Sequence, residues 1–188
     1  MPNWSSNTLI VTIDNETDEA KSQLAKFLEK INSAKDSDKG IFSVFFPCPQ
    51  ELYDNPGNGF DTWYDWHVKN WGTKWDVPYK EVKFSEDNDD TTCQIWFDTA
   101  WSPPEKFIES VSKLFPELEF KVAYSEGGMA YAGYVVYING EEKLSCELDN
   151  VEFDVTTFIN DDMEEEEDYV PCDEWQAFLD EYGLHTGG

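Results

Sequence analysis

A tryptophan-rich block at residues 63–79 constrains the fold of this chain more than any other stretch. It holds four of the chain's eight tryptophans, and so aromatic a block buries a large apolar area wherever it packs. Trp63, Trp66 and Trp71 are spaced to cover one broad side of a helix, and Gly72 is placed to end that helix. We therefore predict a buried core motif. The tryptophans expected to form the structural framework are Trp4, Trp63, Trp66, Trp71, Trp75 and Trp101.

The order of apolar patterns predicts an α+β fold. A β-branched strand at residues 7–14 precedes an amphipathic helix that begins near Asp18, and an apolar run at residues 41–46 is typical of a short strand. A hairpin and a second helix follow, and Asn139-Gly140 between apolar runs indicates another hairpin. Two helices that each bridge strands favour a ferredoxin-like split β-α-β core, with helices on one face of an antiparallel sheet.

The chain length of 188 residues fits one domain with an elaboration. We predict a single ferredoxin-like domain over residues 1–159, with a helical insertion at about residues 50–79 and a C-terminal β-meander. Residues 160–188 are predicted to be an acidic segment followed by a short helix, and residues 160–168 a mobile run.

Targeting and cysteine signals both favour the cytoplasm of the cell that makes the protein. No apolar run approaches the roughly 20 residues that span a bilayer, and the N-terminus has no signal-peptide pattern. The four cysteines form no CxxC pair, so neither a zinc site nor a disulfide framework is indicated. Cys93 and Cys146 are expected to be small buried side chains.

The net charge decides which partners are possible. Forty Asp and Glu residues against 13 Lys and Arg give a formal charge of −27. Contact with nucleic-acid phosphates or anionic membranes depends on Lys and Arg, so neither is expected as a direct partner. A basic protein is the expected partner.

Much of the negative charge lies near the C-terminus. Residues 140–188 contain 17 Asp and Glu and one lysine, Lys143. Alternate strand residues are roughly 6.6 Å apart, close to the phosphate spacing along one DNA strand, so carboxylates there could occupy a basic groove. The alternatives are that the charged residues only keep the chain in solution, or that the protein binds its partner in another way. The predicted partner-binding residues are Glu141, Glu142, Glu147, Asp149, Glu152, Asp154, Asp161, Asp162, Glu164, Glu165, Glu166, Glu167 and Asp168.

Catalytic and metal-binding patterns are weak. His67 lies near Asp61 and Asp65 and could serve as an acid–base group or a ligand, but a structural histidine is the favoured interpretation. The turn Asp87/Asp89/Asp90 only loosely resembles a calcium loop. We predict no enzyme activity, no metal and no cofactor.

Three motifs carry a resemblance to a known family. The opening at residues 1–9 (Met-Pro-Asn-Trp-x-x-Asn-Thr-Leu), the motif at 70–76 (Asn-Trp-Gly-Thr-Lys-Trp-Asp) and the motif at 99–104 (Thr-Ala-Trp-Ser-Pro-Pro) resemble the YubB-type ferredoxin-like proteins of bacteriophages, prophages and conjugative plasmids. The resemblance covers roughly residues 1–140. The chain has Ser5 where the family typically has Cys, so no role of that cysteine carries over.

The resemblance implies a ferredoxin-like fold without an iron–sulfur cluster, no settled activity, and a mobile-element accessory gene. That class of gene includes inhibitors of host defence. Together with the charge, it suggests a protein that inhibits a host CRISPR effector, restriction enzyme or nuclease by acidic mimicry of nucleic acid. The alternatives are a small-ligand binder or enzyme with a pocket at Trp63–Trp75 and His67 as its acid–base group, and a non-catalytic protein-interaction module.

Overall fold

Strand β1 lies inside a six-stranded antiparallel sheet in the computed structural model, which describes residues 3–13, 15–54, 62–149, 153–159 and 165–182. The strand order is β2-β3-β1-β4-β5-β6. The strands of this sheet are β1 (Trp4–Ile13), β2 (Lys83–Phe84), β3 (Thr92–Ala100), β4 (Leu118–Glu126), β5 (Tyr131–Ile138) and β6 (Glu141–Asp149). The α-helices are α1 (Asp18–Asn32), α2 (Gln50–Asp54), α3 (Trp63–Trp71), α4 (Glu105–Ser112) and α5 (Asp173–Tyr182), and a 3₁₀ turn covers Tyr79–Glu81.

The connections confirm the predicted ferredoxin-like core. Helix α1 follows β1 and helix α4 connects β3 to β4, while β1 pairs antiparallel with both β3 and β4. The order β2-β3-β1-β4 is that of a split β-α-β pair. Strands β5 and β6 extend the sheet beyond β4 through the Asn139-Gly140 hairpin, in which both residues have positive φ, 50° and 76°.

The core lies between α1, α4 and one face of the sheet. Alternate residues of β1, Leu9 and Val11, face it together with Val122 and Phe120 of β4. Phe27 of α1 meets Phe120 edge-on, with ring centroids 5.4 Å apart. A fully buried side chain of this size contributes about 1.5–3 kcal/mol, so these aromatic contacts are a large part of what holds the helices to the sheet.

Helix α3 forms as its sequence predicts. The Thr62 side chain accepts from the Asp65 backbone N–H, and the Asp65 carboxylate accepts from the Thr62 backbone N–H, which completes a capping box. Gly72 ends the helix in the left-handed region, at φ 85°. Trp71 is fully buried, and its indole N–H donates to the Phe46 carbonyl.

The apolar run at residues 41–46 is not the predicted strand but a series of turns. The Asp76 carboxylate accepts hydrogen bonds from the backbone N–H groups of Gly40, Phe42 and Ser43, at 3.1, 2.8 and 3.0 Å. These bonds satisfy the donors that a strand would have paired with a neighbour. The phenylalanines of the run still enter the core, for example Phe42 beside Trp71.

The chain after β6 departs from the predicted meander. Strands β7 (Phe153–Ile159) and β8 (Glu165–Pro171) pair only with each other among the described strands, as a two-stranded antiparallel ribbon. The expectation of a mobile run is therefore wrong for residues 165–168, which belong to β8, while residues 160–164 lie outside the described residues. The predicted division between residues 159 and 160 falls inside this hairpin.

Helix α5 packs on the face of the sheet opposite α1 and α4. Its Phe178 is buried against Ala123 and Ala132, whose side chains alternate with the core-facing residues of β4 and β5. The prediction that the helices lie on one face is thus wrong for α5. Small residues on this face leave room for the Phe178 ring, which also stacks on Tyr134 with centroids 6.3 Å apart.

Candidate binding surface

The outer strand β6 places some of the predicted acidic residues on the surface. Glu141, Glu142 and Glu147 are exposed on it. The Glu141 carboxylate pairs with Lys143, and the Glu142 carboxylate accepts a hydrogen bond from the Ser145 hydroxyl at 2.7 Å. Strand β6 has a bulge between Glu142 and Leu144, and its pairing with β5 holds these three carboxylates on either side of the bulge.

The structure describes only some of the other predicted acidic residues. Asp149 ends β6, Asp154 lies in β7, and the backbone of residues 165–168 lies in β8. Register pairs β8 with β7, with Asp168 opposite Thr156. Four of the predicted positions lie outside the described residues: Glu152, Asp161, Asp162 and Glu164.

A cleft beside β6 brings together residues from five elements or turns. It has a volume of about 260 Å³ and contains two carboxylates, Glu105 at the start of α4 and Glu147 of β6. We call it the acidic cleft. Its lining residues are Trp101, Ser102, Pro103, Glu105, Tyr124, Tyr131, Ala132 and Glu147.

Gly133 makes this arrangement possible. Tyr124, Gly133 and Glu147 lie side by side on β4, β5 and β6. A Cβ at Gly133 would come within 2.7 Å of the Tyr124 hydroxyl oxygen. The missing side chain therefore lets Tyr124 reach across β5, where its hydroxyl donates to the Glu147 carboxylate at 3.3 Å.

The described lining of the acidic cleft contains two carboxylates and no basic side chain. Burial is the main cause that raises the pKa of the Glu105 carboxyl, and the nearby charges of Glu147 and Glu142 raise it further, while a hydrogen bond with Tyr124 and the charge of Lys106 oppose the shift. Burial also raises the pKa of the Tyr124 hydroxyl, as do both glutamates. None of the described lining residues is basic, so neither carboxylate has a charged partner within the lining of the cleft.

Trp101 forms the rim of the cleft in a strained backbone conformation. Its φ is 70°, which for a bulky residue costs of order 1–3 kcal/mol. Its backbone N–H donates to the Asn3 carbonyl at 2.9 Å, and its carbonyl accepts from the Tyr131 hydroxyl at 2.9 Å. These bonds hold the indole outward, with 42% of the residue exposed.

Three tryptophans form an exposed aromatic surface next to the cleft. Trp4 is 48% exposed and Trp75 37% exposed, and their ring centroids lie 5.9 Å apart. The Lys74 ammonium lies 4.6 Å from the Trp75 ring centroid and 4.7 Å from that of Trp101. The prediction of a buried aromatic block is therefore confirmed for Trp71 and wrong for Trp75.

His67 is placed as a structural histidine. It is 4% exposed and stacks on Trp71, with centroids 4.0 Å apart. Its Nδ1 lies 2.7 Å from the Lys74 carbonyl and its Nε2 lies 2.8 Å from the Tyr53 hydroxyl. The carbonyl only accepts, so Nδ1 carries the proton and Nε2 accepts from Tyr53; neither nitrogen is left for a substrate.

The remaining candidate carboxylates and cysteines have local roles. Asp89 accepts from the backbone N–H groups of Thr91 and Thr92, and Asp90 pairs with Lys21 at 2.6 Å. Within the described ranges, no three His, Cys, Asp or Glu side chains are grouped to hold a metal ion. Cys93 is buried as predicted, whereas Cys146 is only half-buried.

No described helix is long and apolar enough to cross a bilayer.

Sequence reasoning missed the acidic cleft. Ser102-Pro103-Pro104-Glu105 is typical of a helix start, and residues 118–124 alternate as a strand does, so neither Glu105 nor Tyr124 is marked by its sequence as part of a site. The one available signal was Gly133 within the apolar run of β5, because an isolated glycine in a strand often marks a close approach. That signal does not say which side chain approaches.

The strand order and the surfaces on it define the class of protein: an α+β protein with a ferredoxin-like core, extended by an acidic edge strand and an exposed aromatic surface. Within this class, the chain belongs to the family described as the ferredoxin-like domain in Api92-like protein, whose model matches residues 74–173, more than half of the 188 residues.

The comparison with solved structures gives a distant likeness. The crystal structure of a protein api92 from Yersinia pseudotuberculosis is similar, with a TM-score of 0.49 and 11% sequence identity, over 79% of this chain and 98% of that chain. No curated protein matches the chain. Family membership therefore rests on the sequence match.

Proposed function

We propose that this protein is a non-enzymatic accessory protein of a phage or plasmid, which binds and inhibits a host nucleic-acid-handling defence protein. Its target would be a CRISPR effector, a restriction enzyme or a nuclease in the host cytoplasm. The carboxylates of residues 141–168 would occupy the basic groove that normally holds DNA or RNA. The observation that carries the proposal is the net charge of −27, part of which lies on ordered strands.

Carboxylates on an ordered strand distinguish a nucleic-acid mimic from a flexible tail that only keeps the protein in solution. Glu141, Glu142 and Glu147 are exposed on a hydrogen-bonded strand, and residues 165–168 have their backbone in β8. A fixed strand loses less conformational entropy on binding than a flexible tail does. A strongly negative surface also speeds encounter with a basic partner.

The mobile-element origin is supported by the motifs at residues 1–9, 70–76 and 99–104, which resemble those of YubB-type proteins. Membership in the Api92-like family is compatible with this origin but says nothing of activity.

A competition assay tests the proposal. Labelled DNA or guide–target duplex is bound to a host CRISPR complex, a restriction enzyme or a nuclease, and the protein is titrated in. We expect displacement from at least one of them, with an apparent affinity that falls steeply as salt rises. Displacement from none of the three would contradict the proposal.

A charge-reversal pair tests the mechanism. Changing Glu164, Glu165, Glu166 and Glu167 to Lys should abolish displacement while the fold is kept. The matched control changes four exposed acids elsewhere to Lys, namely Glu29, Asp36, Asp38 and Asp87, and so has the same net charge. The control should retain most of the inhibition. Equal inhibition by the two variants would show that position does not matter and would rule out mimicry.

A second candidate, a protein-interaction module that uses its aromatic surface, is favoured by one observation. Trp4, Trp75 and Trp101 are each more than a third exposed, and exposed tryptophans are enriched at interfaces. Inhibition that survives charge reversal but is lost in Trp75→Ala would favour this candidate. The pocket-based enzyme has less support, because His67 is buried and both its nitrogens are bonded.

A further inference from the structure

We propose that the acidic cleft binds the guanidinium group of an arginine side chain from a partner protein. This inference deepens the proposed function and rests on it only for the partner that supplies the arginine. The binding chemistry follows from the cleft itself.

The first argument is charge. Glu105 and Glu147 both line the cleft, and none of its described lining residues is basic. Each of the lysines nearest to Glu105 on α4, Lys106 and Lys113, pairs instead with Glu109, at 3.3 and 2.9 Å. Glu105 is half-buried and Glu147 is exposed. A half-buried carboxylate without an ion-pair partner is unfavourable, and an incoming cation would relieve Glu105 while it also contacts Glu147.

The second argument is the aromatic lining. Trp101, Tyr124 and Tyr131 contribute rings to the same cleft, and the centroids of Tyr124 and Tyr131 lie 6.1 Å apart. Aromatic faces attract cations, Trp most strongly. The Trp101 ring already attracts one, because the Lys74 ammonium lies 4.7 Å from its centroid.

The third argument is size. The cleft volume is about 260 Å³, which is below the roughly 300–1,000 Å³ of pockets that hold drug-sized ligands. A single long side chain therefore suits it better than a metabolite or cofactor. A cation of that size from a protein is a lysine or an arginine.

Arginine fits this lining better than lysine does. A guanidinium is planar, stacks on aromatic rings and donates five hydrogen bonds in a fork that matches carboxylates, whereas an ammonium is a strongly hydrated point charge. The Tyr124 hydroxyl donates to Glu147, and this hydrogen bond holds the carboxylate in place for a second donor. All 13 basic residues of this chain are lysines, so the arginine must come from another molecule.

The backbone strain at Trp101 is consistent with this assignment. A φ of 70° at an exposed tryptophan persists only because the Asn3 carbonyl and the Tyr131 hydroxyl hold the turn in place. The backbone that carries the indole is fixed in this way, so the turn does not have to become ordered when a ligand binds.

Titration with small arginine derivatives tests the inference without any host partner. N-acetyl-arginine amide is added to the full-length protein, and tryptophan fluorescence and two-dimensional NMR follow the binding. We expect saturable binding in the millimolar range, with shifts at Trp101 and Tyr131. The neutral isostere N-acetyl-citrulline amide should not bind, and N-acetyl-lysine amide, which carries its charge on the side-chain ammonium, should bind about tenfold more weakly.

Isosteric variants locate the site. Glu105→Gln and Glu147→Gln should each weaken arginine binding about tenfold. Glu109→Gln, one turn further along α4 and paired with lysines, should bind like the wild type. NMR spectra of the free variants establish that each is folded.

Three results would overturn the inference: no saturable binding by the wild type, equal binding of the arginine and citrulline compounds, or unchanged binding by the Glu105→Gln/Glu147→Gln double variant. Lysine binding equal to that of arginine would overturn the choice of guanidinium. The titration contains no host protein, so none of these results changes what the charge-reversal experiment would show. Failure of that experiment leaves arginine binding measurable.

Discussion

At the scale of single residues, Asp76 determines the conformation of a segment that lies far from it in sequence. Its carboxylate accepts from three backbone N–H groups of residues 40–43 and from the Val77 N–H at 2.8 Å. Gly40 is required at the same place, because a Cβ there would lie 2.3 Å from the Asp76 carboxyl carbon. One side chain thus replaces the partner strand that an apolar run normally needs.

Removing that carboxylate should destabilise the fold. Asp76→Ala leaves several half-buried donors without an acceptor, and we expect a loss of about 2–3 kcal/mol in the free energy of unfolding, measured by urea denaturation. Asp38→Ala, which removes an exposed carboxylate two residues before Gly40, is the control and should change stability by less than about 0.5 kcal/mol. Equal losses in both variants would contradict the role of Asp76.

His67 should make stability depend on pH. Burial lowers its pKa in the folded protein, although the Lys74 carbonyl and the Asp76 charge oppose this shift. The unfolded chain then binds a proton more readily, so His67's contribution is complete above the unfolded pKa of about 6.5 and is lost as pH falls through the folded pKa.

The expected result is a steeper loss of wild-type stability on acidification below about pH 7 than His67→Gln shows. Titrating carboxylates act in both proteins, so the difference between the two curves reports His67. His185→Gln, which changes the other histidine, should follow the wild type. Parallel curves for wild type and His67→Gln would show that the imidazole does not titrate with folding.

Residue-scale predictions succeeded where the cause is local. Gly72 ends α3 as the sequence predicts. The sequence offers Asn15 or Thr17 as the cap of α1 and Asp61 or Thr62 as the cap of α3, and the caps are Thr17 and Thr62; each of these residues acts within four residues. Glu105, Tyr124 and Glu147 could not be predicted as a site. They meet only because β4, β5 and β6 pair in one register.

At the scale of elements, Gly133 determines how β5 accommodates its neighbours. A Cβ at this position would lie 2.7 Å from the Tyr124 hydroxyl and 2.7 Å from the Cys146 carbonyl. The strand therefore needs a residue without a side chain there, although glycine weakens strands in general.

We expect Gly133→Ala to lower the free energy of unfolding by about 1–3 kcal/mol, because Tyr124 or the β6 backbone must move. Gly127→Ala is the matched control, since no atom lies within 4 Å of a Cβ built there. The control should be as stable as the wild type or slightly more so. Urea unfolding compares the two, and equal stability would argue against close packing at Gly133.

Element predictions were reliable where pattern and turn agreed. The Asn139-Gly140 hairpin and the helices α1 and α3 form where the sequence places them. The run at residues 41–46 was misassigned because a short apolar run has no periodicity to distinguish strand from turn. The sequence does not predict the pairing of β7 with β8, because repeated glutamates are typical of a mobile segment and not of a strand.

At the scale of the whole molecule, negative charge opposes compactness. Forty acidic residues against 13 basic ones repel one another more strongly in the folded chain, where they are closer together. The described ion pairs, such as Lys113 with Glu109 at 2.9 Å, compensate only a few of them.

Salt should therefore stabilise the fold. Raising ionic strength from about 0.01 M to 0.15 M shortens the Debye length from about 30 Å to about 8 Å, and we expect the thermal unfolding midpoint to rise by a few degrees. Sodium chloride and choline chloride should act equally if screening is the cause. A midpoint that is independent of salt, or that responds to sodium alone, would contradict this explanation.

The free side of β6 has a practical consequence for handling the protein. Among the described strands none pairs with that side, and an unpaired strand invites intermolecular association. The net negative charge of the chain keeps two such edges apart. As pH approaches the isoelectric point of about 4.1, this repulsion between chains disappears, so aggregation on acidic storage or acid elution should begin by chains joining along β6.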